Sequence, residues 1–350
     1  MLIDIVNPRS IHETSGFQVS EPRGVVVRLG ALALALVFFA SPVPADAQPQ
    51  GKVPRVGFLG LPDELTSSRW RDGFVRGLRD LGYVPGESII VDVRGYTPTH
   101  ELRQGLNDFT RLKVDVIFVG PPAAAKAAKE ATRGIPIVCG TCGDPVENGL
   151  AESLARPGGN VTGLASLSAE LIGKRVALML ELLPGVSRLA VFLYPANPGT
   201  RATLSAIGTA SQTLGIKMQR VDIRGVGDFE NAFRSAARGG AGAVILQDDP
   251  LTRSARTQIA ALALKHRLPV STGLTELAEA GALIAYGPDR VDMYRRAAGF
   301  VVKILKGAKP ADLPFEQATK FELILNLKTA KALGLTIPQS FFLRVDRVIE

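Results

Sequence analysis

Cysteine, histidine and tryptophan are all scarce here: 350 residues hold two cysteines, three histidines and one tryptophan, and aromatics make up only 6%. Cys139 and Cys142 cannot build a disulfide framework or a four-cysteine zinc site, so folding must rest on core burial. Beyond the first fifty residues the histidines are His100 and His266, each inside a helix candidate and each read as an ordinary surface or boundary residue. The GxSxG elbow, the GxxxxGK[ST] loop, the GxGxxG fingerprint and HExxH are all absent, which leaves nucleotide and zinc-protease chemistry without a foothold. Cys139-Gly140-Thr141-Cys142 has redox-motif spacing, but it ends a strand candidate and runs into Gly143-Asp144-Pro145. No helix opens there to lower a thiol pKa. A local disulfide and two buried thiols both remain open.

Long apolar runs are also missing. The one strong run, Leu29 to Ala40, has twelve residues behind Arg23 and Arg28, too few for a membrane span of roughly 20 but right for the core of a secretory signal. Ala45-Asp46-Ala47 supplies a small-x-small cleavage site. Residues 1–47 therefore read as a leader cleaved after Ala47, with the remaining chain exported to the periplasm. Without the leader, 38 basic residues face 29 acidic ones, a net charge of +9. These charges are scattered along helix candidates and do not interleave with aromatics, so a nucleic-acid partner is not expected.

What is present describes a globular α/β protein. The chain is 46% hydrophobic and 21% charged, and its length suggests about two domains. Short β-branched runs at 55–60, 88–93, 114–119 and 135–138 alternate with helix candidates at 67–81, 100–112 and 122–133. Runs at 189–193, 216–221, 243–246 and 268–270 alternate likewise with helices at 168–183, 199–214, 228–237 and 252–266. Further on come 281–286, a helix at 290–306, a strand-like 319–325 and a short helix at 327–333. Apolar strands alternating with amphipathic helices indicate βαβ units around covered parallel sheets. Asn160–Ala165, Ala282–Tyr286 and Phe321–Leu325 lie outside the alternation and read as three hinge crossovers. The expectation is two Rossmann-like lobes with parallel sheets and a ligand cleft between them. The first lobe takes 51–162 plus 287–314, the second 163–286 plus 315–350.

In open α/β sheets ligands bind beyond the carboxyl ends of the strands. Those ends nominate Leu61, Ala123, Ala124 and Thr141 in the first lobe and Tyr194, Asn197, Asp249, Thr272 and Tyr286 in the second. Neutral donors in one lobe and Asp248-Asp249 in the other suit a zwitterion such as an amino acid. Asp249, just before Pro250, also reads as a helix cap.

Four stretches, 72–89 (DGFVRGLRDLGYVPGESI), 144–164 (DPVENGLAESLARPGGNVTGL), 285–289 (AYGPD) and 318–338 (ATKFELILNLKTAKALGLTIP), resemble the ABC transporter substrate-binding proteins of the tryptophan/tyrosine type. Their fold is that of type I periplasmic binding proteins. The resemblance implies capture of a small molecule by lobe closure and delivery to a membrane permease driven by a separate ATPase. It implies no cofactor, no catalysis, no membrane contact except through the permease, and a monomer. On the same basis Asp249-Pro250 matches the family's Asp-Pro after a second-lobe strand, and Tyr286-Gly287-Pro288-Asp289 its second crossover. Pro121-Pro122 departs from the family's usual small hydroxyl or glycine residue, and proline offers no N–H. The loop Leu61–Arg69 lacks the histidine often found there. An exported α/β enzyme is the rival reading, but it needs a clustered nucleophile or base that the sequence does not show. A two-lobe transcription regulator would need an N-terminal helix-turn-helix where the leader stands.

Overall fold

The computed structural model describes residues 52–61, 69–96 and 101–350. The leader, the rest of the loop after Leu61 and His100 lie outside the described residues. The first series runs β1 (Arg55–Gly60), α1 (Arg69–Asp80), β2 (Ile90–Gly95), α2 (Glu101–Leu112), β3 (Val116–Val119), α3 (Pro122–Ala131), β4 (Ile137–Cys139) and β5 (Val161–Ala165). The second runs α4 (Ile172–Leu182), β6 (Arg188–Leu193), α5 (Thr200–Leu214), β7 (Lys217–Asp222), α6 (Phe229–Arg238), β8 (Ala243–Leu246), α7 (Pro250–Ser254), α8 (Arg256–Lys265), β9 (Val270–Thr272), α9 (Thr275–Ala280) and β10 (Ile284–Pro288). The chain then returns through α10 (Arg290–Leu305) and β11 (Glu316–Gln317), and ends with β12 (Phe321–Asn326), α11 (Leu327–Leu333), α12 (Gln339–Phe342) and β13 (Arg347–Ile349).

Two sheets result, ordered β11-β5-β4-β3-β1-β2 and β13-β12-β10-β9-β8-β6-β7. Every pairing is parallel except β10 with β12. Strand periodicity explains the burial. On β3, Val116 and Phe118 enter one core while Ile117 and Val119 enter the core on the opposite face. On β6, Leu189, Val191 and Leu193 face one core and Ala190 and Phe192 the other. Both faces of each sheet are thus covered, and this is why these strands read as continuous apolar runs.

The three segments expected as crossovers are themselves strands. An extended apolar segment satisfies its backbone groups by pairing, so β5, β10 and β12 join sheets and the chain changes sheet beyond them. The passages are 166–171, Asp289 and 318–320. The expected breaks after 162, 286 and 314 therefore fall a few residues early. Gly163–Ala165 and β11 pair in the first sheet, and Gly287–Pro288 pair in the second. The helix expected over 252–266 is two helices broken at Ala255, because Asp249 and Pro250 start a separate short turn of helix. Cys139 and Cys142 are joined by a disulfide and are fully buried.

One helix pair positions the cleft. The apolar stripe Trp70, Phe74 and Leu78 of α1 is buried, and Gly73 and Gly77 lie on the same helix. A side chain at Gly73 would stand 2.7 Å from the Val291 carbonyl of α10, and one at Gly77 would run into the Arg295 carbonyl. Glycine at these two positions lets the helices touch along their backbones. The ring cluster of Phe58, Phe74, Phe118 and Tyr294 has centroids 4.4–5.5 Å apart. It carries this contact from the core to the cleft.

Candidate ligand-binding cleft

The carboxyl ends of parallel strands from both sheets line one cavity of about 570 Å³, within the usual range for a small-molecule site. Leu61 follows β1, Pro121 and Pro122 follow β3, Thr141 follows β4, and Ser166 follows β5. Asn197 comes from the loop after β6, and Gln247, Asp248 and Asp249 from the loop after β8.

The second-lobe wall is a network of buried polar side chains. Gln247 Oε1 accepts from Tyr194 N–H at 2.9 Å, Gln247 Nε2 donates to Thr200 Oγ1 at 3.0 Å, and Thr200 Oγ1 donates to Tyr194 O at 2.6 Å. Asp248 accepts from Gly273 N–H at 2.8 Å and from Arg175 at 3.0 Å. Arg175, with its side chain 1% exposed, also donates through Nε to Tyr286 O at 2.8 Å. Asp249 caps α7: Oδ1 accepts from Leu251 N–H and Oδ2 from Asn197 Nδ2, both at 2.7 Å, while Asp249 N–H donates to Thr252 Oγ1. Burial pushes the Asp249 carboxyl up to about 6, against the two hydrogen bonds that favour its charge. Burial likewise raises Glu276, despite Arg290 and Arg253 nearby.

The first-lobe wall adds Trp70 from α1 and Arg290 and Tyr294 from α10. Contacts between the lobes close the cleft on several sides. Arg290 reaches Asp248 at 3.3 Å, Arg69 pairs with Glu279 at 2.6 Å, and Arg201 pairs with Glu147 at 2.8 Å. The Arg253 guanidinium of α7 lies 4.5 Å from the Trp70 ring centroid. Burial would lift the Glu279 carboxyl, but hydrogen bonds from Arg347 and Arg69 outweigh it and hold the pKa below the ordinary glutamate value.

Of the expected site residues, Leu61, Thr141, Asn197 and Asp249 come together in the cavity wall. The other five lie elsewhere. Ala123 is exposed on the first turn of α3, and Ala124 is buried in the core beneath it. The Tyr194 ring packs on the second-lobe core, so its backbone supports the site. Thr272 is fully buried, its hydroxyl accepting from Leu274 N–H. The Tyr286 ring lies in the core beside Phe321, with Lys174 donating to its hydroxyl at 2.8 Å. Trp70, Arg175, Arg253, Arg290 and Asn148 line the cavity and were not anticipated. Among the described residues no three His, Cys, Asp or Glu side chains stand close enough to hold a metal ion.

A family model described as ABC transporter substrate binding protein matches residues 65–349. The chain belongs to that family. It is a family of binding proteins, not of enzymes, and such proteins of ABC importers are typically extracytoplasmic. A protein of Clostridioides difficile strain R20291 named tyrosine-binding protein is 25% identical over 285 residues, covering 81% of this chain and 82% of its own. A conserved domain protein from Vibrio cholerae has a solved structure at TM-score 0.79 and 26% identity, covering 85% of this chain and all of its own. The ABC domain solved in complex with L-Trp from Streptococcus pneumonia gives TM-score 0.78 and 21% identity over the same shares. A LacI family transcriptional regulator from Bifidobacterium animalis shares the fold at TM-score 0.55 and 15% identity, covering 77% of this chain and 95% of its own.

Proposed function

We propose that this substrate-binding protein works in the periplasm after loss of residues 1–47. There it captures a small solute, an amino acid or similar zwitterion, by closing its lobes and hands it, as a monomer and without chemistry, to an ABC permease powered by a separate ATPase. The observation that carries the reading is the cavity between the strand ends of both sheets, spanned by Arg290–Asp248 and Arg201–Glu147, with Arg69–Glu279 joining the lobes outside it. A ligand that touches both walls favours the closed arrangement by its difference in affinity for the two states. The moving bodies are the two lobes divided at 166–171, Asp289 and 318–320. The names of the Clostridioides and Streptococcus proteins support a solute the size of an amino acid.

Mass spectrometry of small molecules extracted from the purified protein tests the proposal. A solute recovered in stoichiometric amount and unchanged by incubation is the expected result. When that solute is removed and added back, small-angle scattering should show a smaller radius of gyration. Turnover of the solute, or an unchanged scattering profile at saturation, would overturn the proposal. N-terminal sequencing of periplasmic protein should begin within a few residues of Gln48.

A further inference from the structure

The buried disulfide of the first lobe stands directly behind the cavity wall. Cys139 ends β4 and Cys142 follows three residues on, so the bond closes a loop whose interior residues are Gly140 and Thr141. Thr141 lines the cavity. The loop is tied on both sides. Gly140 N–H donates to Val119 O at 2.8 Å, Thr141 gives both its N–H and its hydroxyl to Gly120 O at 2.9 Å, and Cys142 N–H donates to Leu164 O at 2.8 Å. Val119 and Gly120 stand at the end of β3 and Leu164 on β5, the two strands that flank β4.

The same loop sets the amide of Asn148, another residue of the cavity wall. Gly143, at φ +62°, turns the chain back, and Asn148 Nδ2 donates to Cys142 O at 2.8 Å. A carbonyl acceptor demands the NH₂ end of the amide, so Oδ1 points away from Cys142. A side chain at Gly199 of the second lobe would stand 3.9 Å from Oδ1, which has no donor among the described residues. An N–H or O–H of a solute would supply that donor.

Two ordinary roles for the bond fall short. A cross-link stabilises more the longer the loop it closes, and one this short removes little freedom from the unfolded chain. Redox catalysis needs an accessible, low-pKa thiol, whereas both cysteines are fully buried. Resting on the solute-binding reading above, we propose that the Cys139–Cys142 disulfide is a positioning element of the cleft. It holds Thr141 and, through the Cys142 carbonyl, the Asn148 amide in the form that receives the solute, and it makes affinity depend on the redox state of the pair. A dithiol opens the bond by exchange: its thiolate attacks one sulfur and its second thiol resolves the mixed disulfide. Two electrons and two protons then end on Cys139 and Cys142, and the dithiol becomes a disulfide. Opening frees the Cys142 carbonyl to rotate away from Asn148. By linkage, a solute that prefers the oxidised loop makes the pair harder to reduce by the same factor.

The oxidised protein is compared with two forms in which the bond is open, the wild type reduced with dithiothreitol and the Cys139→Ala/Cys142→Ala variant. Thiol titration of the unfolded oxidised protein should find no free thiol, and both open forms should still melt cooperatively. Hydrogen exchange, which needs no solute, should be about tenfold faster at the Thr141, Cys142 and Asn148 amides once the bond is open, and unchanged in β6 and β8. In titration calorimetry with L-tyrosine and L-tryptophan, whichever probe binds the oxidised protein should bind the open forms about tenfold more weakly, and reoxidation of the wild type should restore affinity. That probe should make the reduction potential of the pair more negative by about 30 mV, the same tenfold factor for two electrons. Asn148→Leu should weaken the oxidised protein similarly, with opening of the bond then adding little. Free thiols in the oxidised protein, loss of folding in both open forms, unchanged exchange, equal affinities, an unmoved potential, or losses from Asn148→Leu and from opening that simply add would each overturn the inference while the solute-binding reading stands. If neither probe binds, solute extracted from the proteins decides. Recovery from the wild type and loss from the alanine variant upholds the inference, equal recovery overturns it alone, and no solute from either overturns both.

Discussion

Where the first lobe meets the cleft, helices approach until backbone lies against backbone: Gly73 and Gly77 of α1 give α10 room to bring Arg290 and Tyr294 to the cavity. Where the second lobe meets it, buried polar side chains bond one another, with Asp248 holding Arg175 and Asp249 holding both Asn197 and the start of α7. One wall depends on shape and the other on completed hydrogen bonds. A shape-built wall is sensitive to added volume and indifferent to pH. A network-built wall tolerates volume better, but the loss of one charge is costly because its partner stays buried.

The largest expected effect is on the second wall. Asp248→Asn keeps the size of the side chain but leaves the buried Arg175 charge uncompensated, so stability should fall by about 3–5 kcal/mol. Urea unfolding measures this, and a loss below 1 kcal/mol would mean that Arg175 finds another counter-charge. Next comes Asp249→Asn, read against pH. The folded pKa of Asp249 is raised to about 6 from an ordinary value of 3.8. The stability it contributes is therefore complete below about pH 4 and is lost as pH rises through about 6. The advantage of wild type over Asp249→Asn should shrink across that window by roughly 2–3 kcal/mol. Calorimetric melting at a series of pH values gives the comparison, and parallel profiles would show that folding leaves the Asp249 pKa unchanged. The amide also sets an NH₂ against Asn197 Nδ2, whose own oxygen is committed to Gly199 N–H, so the mutant starts with a pH-independent deficit.

On the first wall, Gly77→Val forces a branched side chain against the Arg295 carbonyl. It should cost about 1–3 kcal/mol, independent of pH between 5 and 8. A pH-dependent cost would break the contrast between the walls. The smallest effect belongs to Arg69→Gln. Arg69 and Glu279 are partly exposed, with side-chain accessibilities of 54% and 36%, so stability should change by less than about 1 kcal/mol. The consequence should appear in ligand affinity, a few-fold weaker at low salt and equal to wild type at high salt as screening removes the pair.

The alternation of strands and helices was legible because both faces of each sheet are covered, which makes the strands continuous apolar runs. The wall of the candidate cleft was half legible for the same reason. Leu61, Thr141, Asn197 and Asp249 stand at or just beyond the ends of visible strands, and chain position alone puts them at the cleft. Trp70, Arg175, Arg253 and Arg290 come from helices. Trp70 looks like one more residue of a core stripe, and Arg290 like an ordinary helix start, until the approach of α1 to α10 is known. Ala123 and Ala124 failed because Pro122 starts α3 at once and turns Ala123 outward and Ala124 into the core. Tyr286 failed because a strand alternates sides, and its ring takes the core side while its carbonyl serves Arg175. The edge strands β11 and β13 are two and three residues long, too short for any periodicity to show.

The first sheet is completed late in the chain. Thr162 Oγ1 donates to the carbonyl of Leu313, 151 residues further on, and the partner strand of β5, β11, is synthesised only after most of the second lobe. Contacts this distant in sequence raise the contact order and slow folding. A nascent chain emerging from the ribosome lacks α10 and β11, so its first lobe has neither its partner helix nor its edge strand until almost all 350 residues exist. Moving α10 and β11 ahead of the second lobe by circular permutation would shorten these contacts in sequence and let the first lobe fold before the second is made.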